Sequence, residues 1–356
     1  MKKKKILFFL QTLNGGGAER VTVNIIKGLD RDKFEVILLL VNREGVYLDL
    51  IPKDVSIYSL DSSKTLFSIL KLRKKIKEIK PDIIYSTLYR THIALYLALI
   101  GISHKPKSIM RMPNSPKLVL ENRQISSINR FLLEIALKNS DLVLAQTPEM
   151  KEEIAHFHKI DKDKIEVLLN PLDKELIDKS IENVSNPFNR DYINIVASGR
   201  ITHQKGFDIL IKAFAKLYDY NSKYRLHIIG ADREGKLKEY KKLSLDLGVG
   251  EYISFLGFQK NPYRYYYYAD IFVLSSRWEG LPNTVLENLY LNKIVVATKC
   301  IPYMSELIKE GENGFLAEVE DPKSLYNAIL KAEKIDKNSL KKSNLLEQNF
   351  DKVFDI

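Results

Sequence analysis

Apolar residues recur along this chain in short blocks, separated by longer stretches in which they return every three or four positions. Blocks at 5–10, 35–41, 54–60, 82–86, 107–110, 141–145 and 164–169 predict strands, the first reading Ile6-Leu7-Phe8-Phe9-Leu10 after a lysine. Continuous apolar blocks of this length suit strands covered on both faces. Between them, helical periodicity predicts helices at 18–29, 66–80, 91–100, 121–138 and 148–157. After Asn170-Pro171-Leu172-Asp173 the pattern stops, and the polar stretch 174–191, with Asn186-Pro187, reads as a linker. The alternation then restarts, with strands at 193–198, 225–229, 253–256, 271–274, 294–298 and 315–319 and helices between and after them. The prediction is an α/β protein of two doubly wound, Rossmann-like domains facing across a cleft. They span 1–173 and 192–339, with 340–356 expected to return to the first domain.

A length of 356 residues agrees with two domains, and 45% hydrophobic with 28% charged residues describes a globular protein. The single Cys300 rules out a disulfide framework and points to a reducing cytoplasm. Lys2 to Lys5 before an apolar run imitates a signal peptide, but the run is short and no small-residue cleavage pattern follows, so a first strand is expected. The longest apolar segment, 93–102, is about half of what spans a bilayer.

The net charge of +11 asks for a partner. No nucleic acid is expected, because zinc-finger spacing, helix-turn-helix patterning and interleaved aromatic and basic motifs are absent. Much of the excess is local: Lys71, Arg73, Lys74, Lys75, Lys77 and Lys80 share the 66–80 helix with Leu66, Phe67, Ile69, Leu70, Leu72, Ile76 and Ile79. Two readings stay open, peripheral contact with an anionic membrane and a solvated outer helix.

Candidate chemistry gathers where predicted strands end. Ser275 to Glu287 follows the strand 271–274 and opens a helix at about Asn283. Glu279 and Glu287 can accept hydrogen bonds from ligand hydroxyls, and helix amides can meet phosphate oxygens. Gly199-Arg200 end a sibling strand and Lys205-Gly206 lead into the helix after it, supplying a guanidinium and an ammonium for phosphate. Gly15, Gly16 and Gly17 form a loop before the first helix; Arg20 sits where a dinucleotide fingerprint needs glycine, and no Walker lysine follows.

Taken together and in order, Gly-Gly-Gly-Ala-Glu-Arg at 15–20, Gly-Arg-x-x-x-x-Lys-Gly at 199–206, Ala-Asp at 269–270 and Glu-Gly-Leu-Pro-Asn-x-x-x-Glu at 279–287 resemble the retaining glycosyltransferases with the B-type fold, in their bacterial surface-polysaccharide branch. Asn170 to Asp173 is similar to that family's inter-domain segment. The resemblance implies that Arg200 and Lys205 bind the donor diphosphate, Glu279 the transferred sugar and Glu287 the ribose. It implies donor contacts from Gly280, Leu281, Pro282, Asn283 and Thr284, with Gly257 and Phe258 near the base. Gly15 to Gly17, Arg111 and Asn114 would lie on the acceptor side. No metal or other cofactor is implied, and Asp161-Lys162-Asp163 is read as a solvated turn.

The histidine that many members carry after the strand at 107–110 is missing; Arg111 and Asn114 stand there as an Arg-x-x-Asn variant. No side-chain base is therefore named, and the donor phosphate is a candidate proton acceptor. His92 is open to a structural or a cleft-facing reading. The expected activity is transfer from a nucleotide diphosphate sugar, uridine-linked, to a glycan or lipid-linked acceptor at the cytoplasmic membrane face. A nucleotide-sugar epimerase on the same fold and a non-catalytic sugar-nucleotide-binding protein are the alternatives.

Overall fold

The computed structural model describes residues 3–121, 125–232, 234–340 and 351–355. The chain divides into two compact units, one running to Asp173 and joined by the C-terminal residues, the other beginning at Lys174.

The first unit is built on seven parallel strands, β1 (Lys4–Leu10), β2 (Phe34–Leu40), β3 (Ser56–Ser59), β4 (Ile83–Thr87), β5 (Lys107–Arg111), β6 (Leu142–Ala145) and β7 (Ile165–Val167), ordered β3-β2-β1-β4-β5-β6-β7. β1 is central, and its residues from Ile6 to Leu10 are buried on both sides, which is why its apolar run has no alternation. One face packs on the helix Gly17–Gly28 and on Phe354, whose ring lies 5.9 Å from Phe8 and 6.3 Å from Tyr85. The other face packs on the helices Ile69–Ile79, Tyr89–Leu99, Ser127–Lys138 and Pro148–His158. Because every strand pairing is parallel, each of these helices starts at the carboxyl edge of the sheet and runs back.

The helix predicted over 121–138 starts at Ser127, with Ser126 as its cap accepting from the Asn129 amide at 3.4 Å; a separate short helix spans Pro116–Glu121. Residues 122–124 lie outside the described residues.

The second unit carries β8 (Ile193–Ser198), β9 (Tyr224–Ile229), β10 (Ile253–Gly257), β11 (Ile271–Leu274), β12 (Ile294–Thr298) and β13 (Gly314–Ala317), all parallel, ordered β10-β9-β8-β11-β12-β13. The order reverses between β8 and β11, the position at which doubly wound sheets bind ligands.

One expectation is corrected. Residues 174–191 were read as a linker for want of an apolar stripe, yet they begin with the helix Lys174–Ile181, whose Ile177 is buried. The stretch is strapped to the second unit by contacts too distant in sequence to be read from it. Asn261 donates to the Ser180 carbonyl at 2.7 Å, Tyr290 to Asp178 at 2.7 Å and Tyr268 to the Val184 carbonyl at 2.6 Å, while the Phe188 ring lies tilted against His227 at 4.4 Å.

Candidate active site

β8 and β11 are neighbours, so the loops that follow them rise side by side at the carboxyl edge of the second unit. The first leads into the helix Phe207–Tyr220, the second into Asn283–Tyr290. Gly206 lets them touch: its φ is +61°, and a Cβ there would lie 2.1 Å from the Ser275 carbonyl oxygen. Only glycine meets both conditions. Ser275 Oγ donates to the Lys205 carbonyl at 2.9 Å and Gln204 Nε2 to the Trp278 carbonyl at 2.9 Å, so the loops form one piece.

Within that piece, Lys205 Nζ lies 2.5 Å from Glu279 Oε1, and both side chains are largely buried. Ser276 Oγ donates to the same oxygen at 2.7 Å. Glu279 Oε2 has no donor among the described residues, and two of the three ammonium protons of Lys205 remain for other acceptors. Gly199 makes room for the lysine, since a Cβ there would be 2.9 Å from Lys205 Cε. Arg200 is exposed and has no hydrogen-bond or ion-pair partner among the described residues. Glu287, in the second turn of its helix and buried, accepts from the Tyr263 hydroxyl at 3.1 Å. That helix has Pro282 at its N-cap and no side-chain cap, and beside it Thr284 Oγ1 is buried without a partner among the described residues. The edge thus offers cations, carboxylate oxygens, a hydroxyl and an uncapped helix terminus to a ligand bearing both hydroxyls and anionic oxygens.

One residue inside the Ser275–Glu287 stretch, given no role from the sequence, proves central. Arg277 forks onto Asp208 at 2.8 and 3.0 Å and also pairs with Glu320. It donates to the His203 carbonyl at 2.6 Å, and its own amide to the Gln204 carbonyl at 2.8 Å. Partial burial works against its charge, but the carboxylates of Asp208 and Glu320 outweigh it and hold the guanidinium above its ordinary pKa. Burial would raise the carboxyl of Asp208, and Arg277 reverses that to a net lowering. Arg277 therefore fixes the short 203–205 turn that carries Lys205 to Glu279.

Two family models match the chain. "Glycosyltransferase Family 4" matches residues 15–176 and "Glycosyl transferases group 1" residues 178–349. The N-acetylgalactosamine-N,N'-diacetylbacillosaminyl-diphospho-undecaprenol 4-alpha-N-acetylgalactosaminyltransferase of Campylobacter jejuni is 30% identical over 98% of this chain and 96% of its own length. The chain belongs to the group 1, family 4 glycosyltransferases. A second Campylobacter jejuni relative, the GalNAc-alpha-(1->4)-GalNAc-alpha-(1->3)-diNAcBac-PP-undecaprenol alpha-1,4-N-acetyl-D-galactosaminyltransferase, is 28% identical over 91% of this chain and 88% of that one. Among solved structures, Anabaena HepE in complex with UDP superposes with a TM-score of 0.78 at 20% identity, covering 99% of this chain and 100% of that one, so the two share the B-type fold.

The remaining candidates fall in different surroundings in this glycosyltransferase. Gly257 ends β10 with φ +67°, and Phe258 beside it is exposed. In the first unit, Gly15 to Gly17 end the loop after β1 and open the helix Gly17–Gly28, whose N-cap, Gly16, offers no side-chain oxygen. Asn114 is exposed beyond β5. Arg111, anticipated on the acceptor side, is 1% exposed. Its Nη2 donates to Asn170 Oδ1 at 2.5 Å and to the Leu168 carbonyl at 3.3 Å, so it braces the strand end that leads to Asn170-Pro171. Its spacing from Asn114 could not show which way the side chain turns.

His92 is structural: fully buried, it bonds Ser86 Oγ at 2.8 Å and the Arg111 carbonyl at 3.2 Å, and burial pushes its pKa down to about 3. Asp161 accepts from the Asp163 amide at 3.0 Å in an exposed turn. Among the described residues no three His, Cys, Asp or Glu side chains gather into a metal-binding cluster.

Proposed function

We propose that this glycosyltransferase is a retaining, metal-independent enzyme that moves a sugar from a uridine diphosphate sugar to a lipid-linked glycan in bacterial surface-polysaccharide assembly. The observation that carries the reading is the buried Lys205–Glu279 pair, with spare protons on one partner and a spare oxygen on the other, beside exposed Arg200. In this reading Arg200 and Lys205 neutralise the leaving diphosphate, the task a metal performs elsewhere. Glu279 Oε2 accepts from hydroxyls of the transferred sugar, and Glu287 from the ribose. Thr284 Oγ1 and the helix terminus from Gly280 to Asn283 meet the sugar and phosphates. Gly257 and Phe258 flank the base, while the Gly15–Gly17 loop and Asn114 serve the acceptor.

The bond from the anomeric carbon to the diphosphate oxygen breaks as the acceptor oxygen bonds that carbon on the same face. The acceptor's proton passes to the departing phosphate. The lipid-linked substrates named for the Campylobacter relatives and the UDP held by HepE support the choice of partners. Peripheral contact with an anionic membrane at its cytoplasmic face belongs to the same reading; no helix among the described residues is long and apolar enough to cross one.

The test is transfer from a panel of UDP-sugars to an undecaprenyl-diphosphate-linked glycan, with and without chelator. Product with the donor's anomeric configuration, unaffected by chelator, is expected, and donor alone should not be epimerised. Glu279→Ala and Arg200→Ala should each lose about a hundredfold or more in turnover with the fold retained. Full activity in both variants would sink the assignment.

A further inference from the structure

The short helix Tyr263–Tyr268, which follows β10, is tyrosine at five of its six positions, and none of them has yet a role in the proposed reaction. Their hydroxyls go different ways. Tyr268 donates to the Val184 carbonyl at 2.6 Å and Tyr265 to Gln259 at 3.3 Å, both ties within the scaffold. Tyr263 turns to the candidate site, where its hydroxyl donates to Glu287 Oε1 at 3.1 Å. Tyr263 and Glu287 are 5% and 9% exposed, so this bond is made away from bulk water.

The ring that carries the hydroxyl is pinned. Tyr266 meets it edge-on at 5.9 Å and in turn meets Phe272 of β11 at 5.4 Å, a row of three buried rings that runs from the sheet to Glu287. The helix is fastened as well: Arg264 donates to the Ser185 carbonyl at 3.0 Å, and Asn261, just before it, to the Ser180 carbonyl. On the other side, the helix Asn283–Tyr290 that carries Glu287 ends in Tyr290, which donates to Asp178 at 2.7 Å. The stretch 174–191 thus grips both elements that meet at the Tyr263–Glu287 bond.

A glutamate on a helix has a fixed Cα but a soft terminal torsion, so its carboxylate plane turns until something holds an oxygen. The two hydroxyls of a ribose are vicinal and rigidly spaced, and a carboxylate whose plane is already set engages both without a further loss of freedom. Two oxygens with roughly four acceptor sites can take a phenol and a diol at once. We infer that Tyr263 is a positioning residue for donor recognition: its hydroxyl orients the Glu287 carboxylate to the ribose diol and so sets a preference for a ribonucleotide over a deoxyribonucleotide. The inference rests on the reading of Glu287 as the ribose acceptor and adds the residue that makes that contact selective.

The full chain is titrated calorimetrically with UDP, 2′-deoxy-UDP and 3′-deoxy-UDP, which needs no acceptor. The unaltered chain should bind UDP about tenfold or more tighter than at least one deoxy form, and Glu287→Ala should bring the forms together. Tyr263→Phe removes one oxygen and keeps the buried ring. It should shrink the preference to about threefold or less by weakening UDP, while the deoxy form changes within about twofold. With a UDP-sugar the same variant should raise donor KM by the factor lost in UDP binding, at unchanged kcat. Tyr268→Phe removes a hydroxyl of the same helix and should keep the full preference. Circular dichroism should match the unaltered chain in all three variants. A full preference in Tyr263→Phe, or equal weakening of UDP and the deoxy forms, would overturn the inference and leave the ribose assignment of Glu287 intact. Loss of the preference in Tyr268→Phe would overturn it too, as a general loosening of the helix. A full preference in Glu287→Ala, or no binding of UDP, would sink the donor reading and the inference with it. The expected pattern without any sugar transfer would sink the proposed activity while still supporting the role of Tyr263.

Discussion

The carboxyl edges of the two sheets are built in opposite ways. In the second unit the edge is polar and locked: Arg277 ties the 203–205 turn to Asp208 and Glu320, Gly206 presses against Ser275, and Lys205 and Glu279 are paired with each other. In the first unit the corresponding loop is three glycines with no side-chain cap. A fixed set of charges suits a constant ligand part such as a diphosphate, where preorganisation makes each contact count. A glycine loop without a side-chain cap suits a variable one. The difference teaches where this enzyme spends its rigidity.

That contrast can be broken at three further points. The largest effect is expected from Arg277→Ala, which strands Asp208 and frees the turn under Lys205. A loss of about 3 kcal/mol in denaturant unfolding, with turnover falling more than donor affinity, is expected. Unchanged stability would mean that the edge is not locked by this residue. Next comes Gly206→Ala, at roughly 2 kcal/mol, from a left-handed φ and contact with the Ser275 oxygen. The equivalent change at Gly17, the first residue of its helix and without a positive φ, should be neutral or stabilise by up to about 1 kcal/mol. Equal losses in the two glycine variants would erase the distinction.

The smallest effect is on acid stability. Burial lowers His92 to about 3 and His158 to about 4 in the first unit, and His227 to about 4 in the second. Below the ordinary value of 6.5 the unfolded chain takes protons that the folded imidazoles refuse. Stability is thus full above that pH and falls as the medium is acidified towards the folded values, by up to ~1.4 kcal/mol per pH unit for each group. Hydrogen exchange between about pH 6 and pH 5 should show the first unit weakening faster, and His92→Asn should flatten its slope. A slope unchanged by that substitution would remove His92 from the account.

Much of this was legible in the chain itself. Glu279, Glu287, Arg200 and Lys205 could be picked out because each follows an apolar block that can only be a buried strand, so its place at a sheet edge comes with its position in sequence. The same reasoning passed over Arg277, which sits between Ser276 and Trp278 as one more loop cation. Its partners at 208 and 320 are brought to it by the segments after β8 and β13, and sequence spacing holds no trace of them. Arg111 was readable as a residue at a strand end but not as a buried brace. The stretch 174–191 had too few apolar residues to show a stripe, since its anchors are hydrogen bonds to Asn261, Tyr268 and Tyr290.

The sequence by itself determined the strand and helix order, the parallel sheets and the family, because burial on both faces of a strand and the helical period are written in local apolar spacing. Tertiary structure decided which side of a helix or loop meets the core. Leu66, Phe67 and Leu70 belong to the same periodic pattern as Leu72 and Ile76, yet only the packing of neighbouring helices turned the first three outward and the last two in. Periodicity fixes which side chains share a face, and the surrounding elements fix what that face touches.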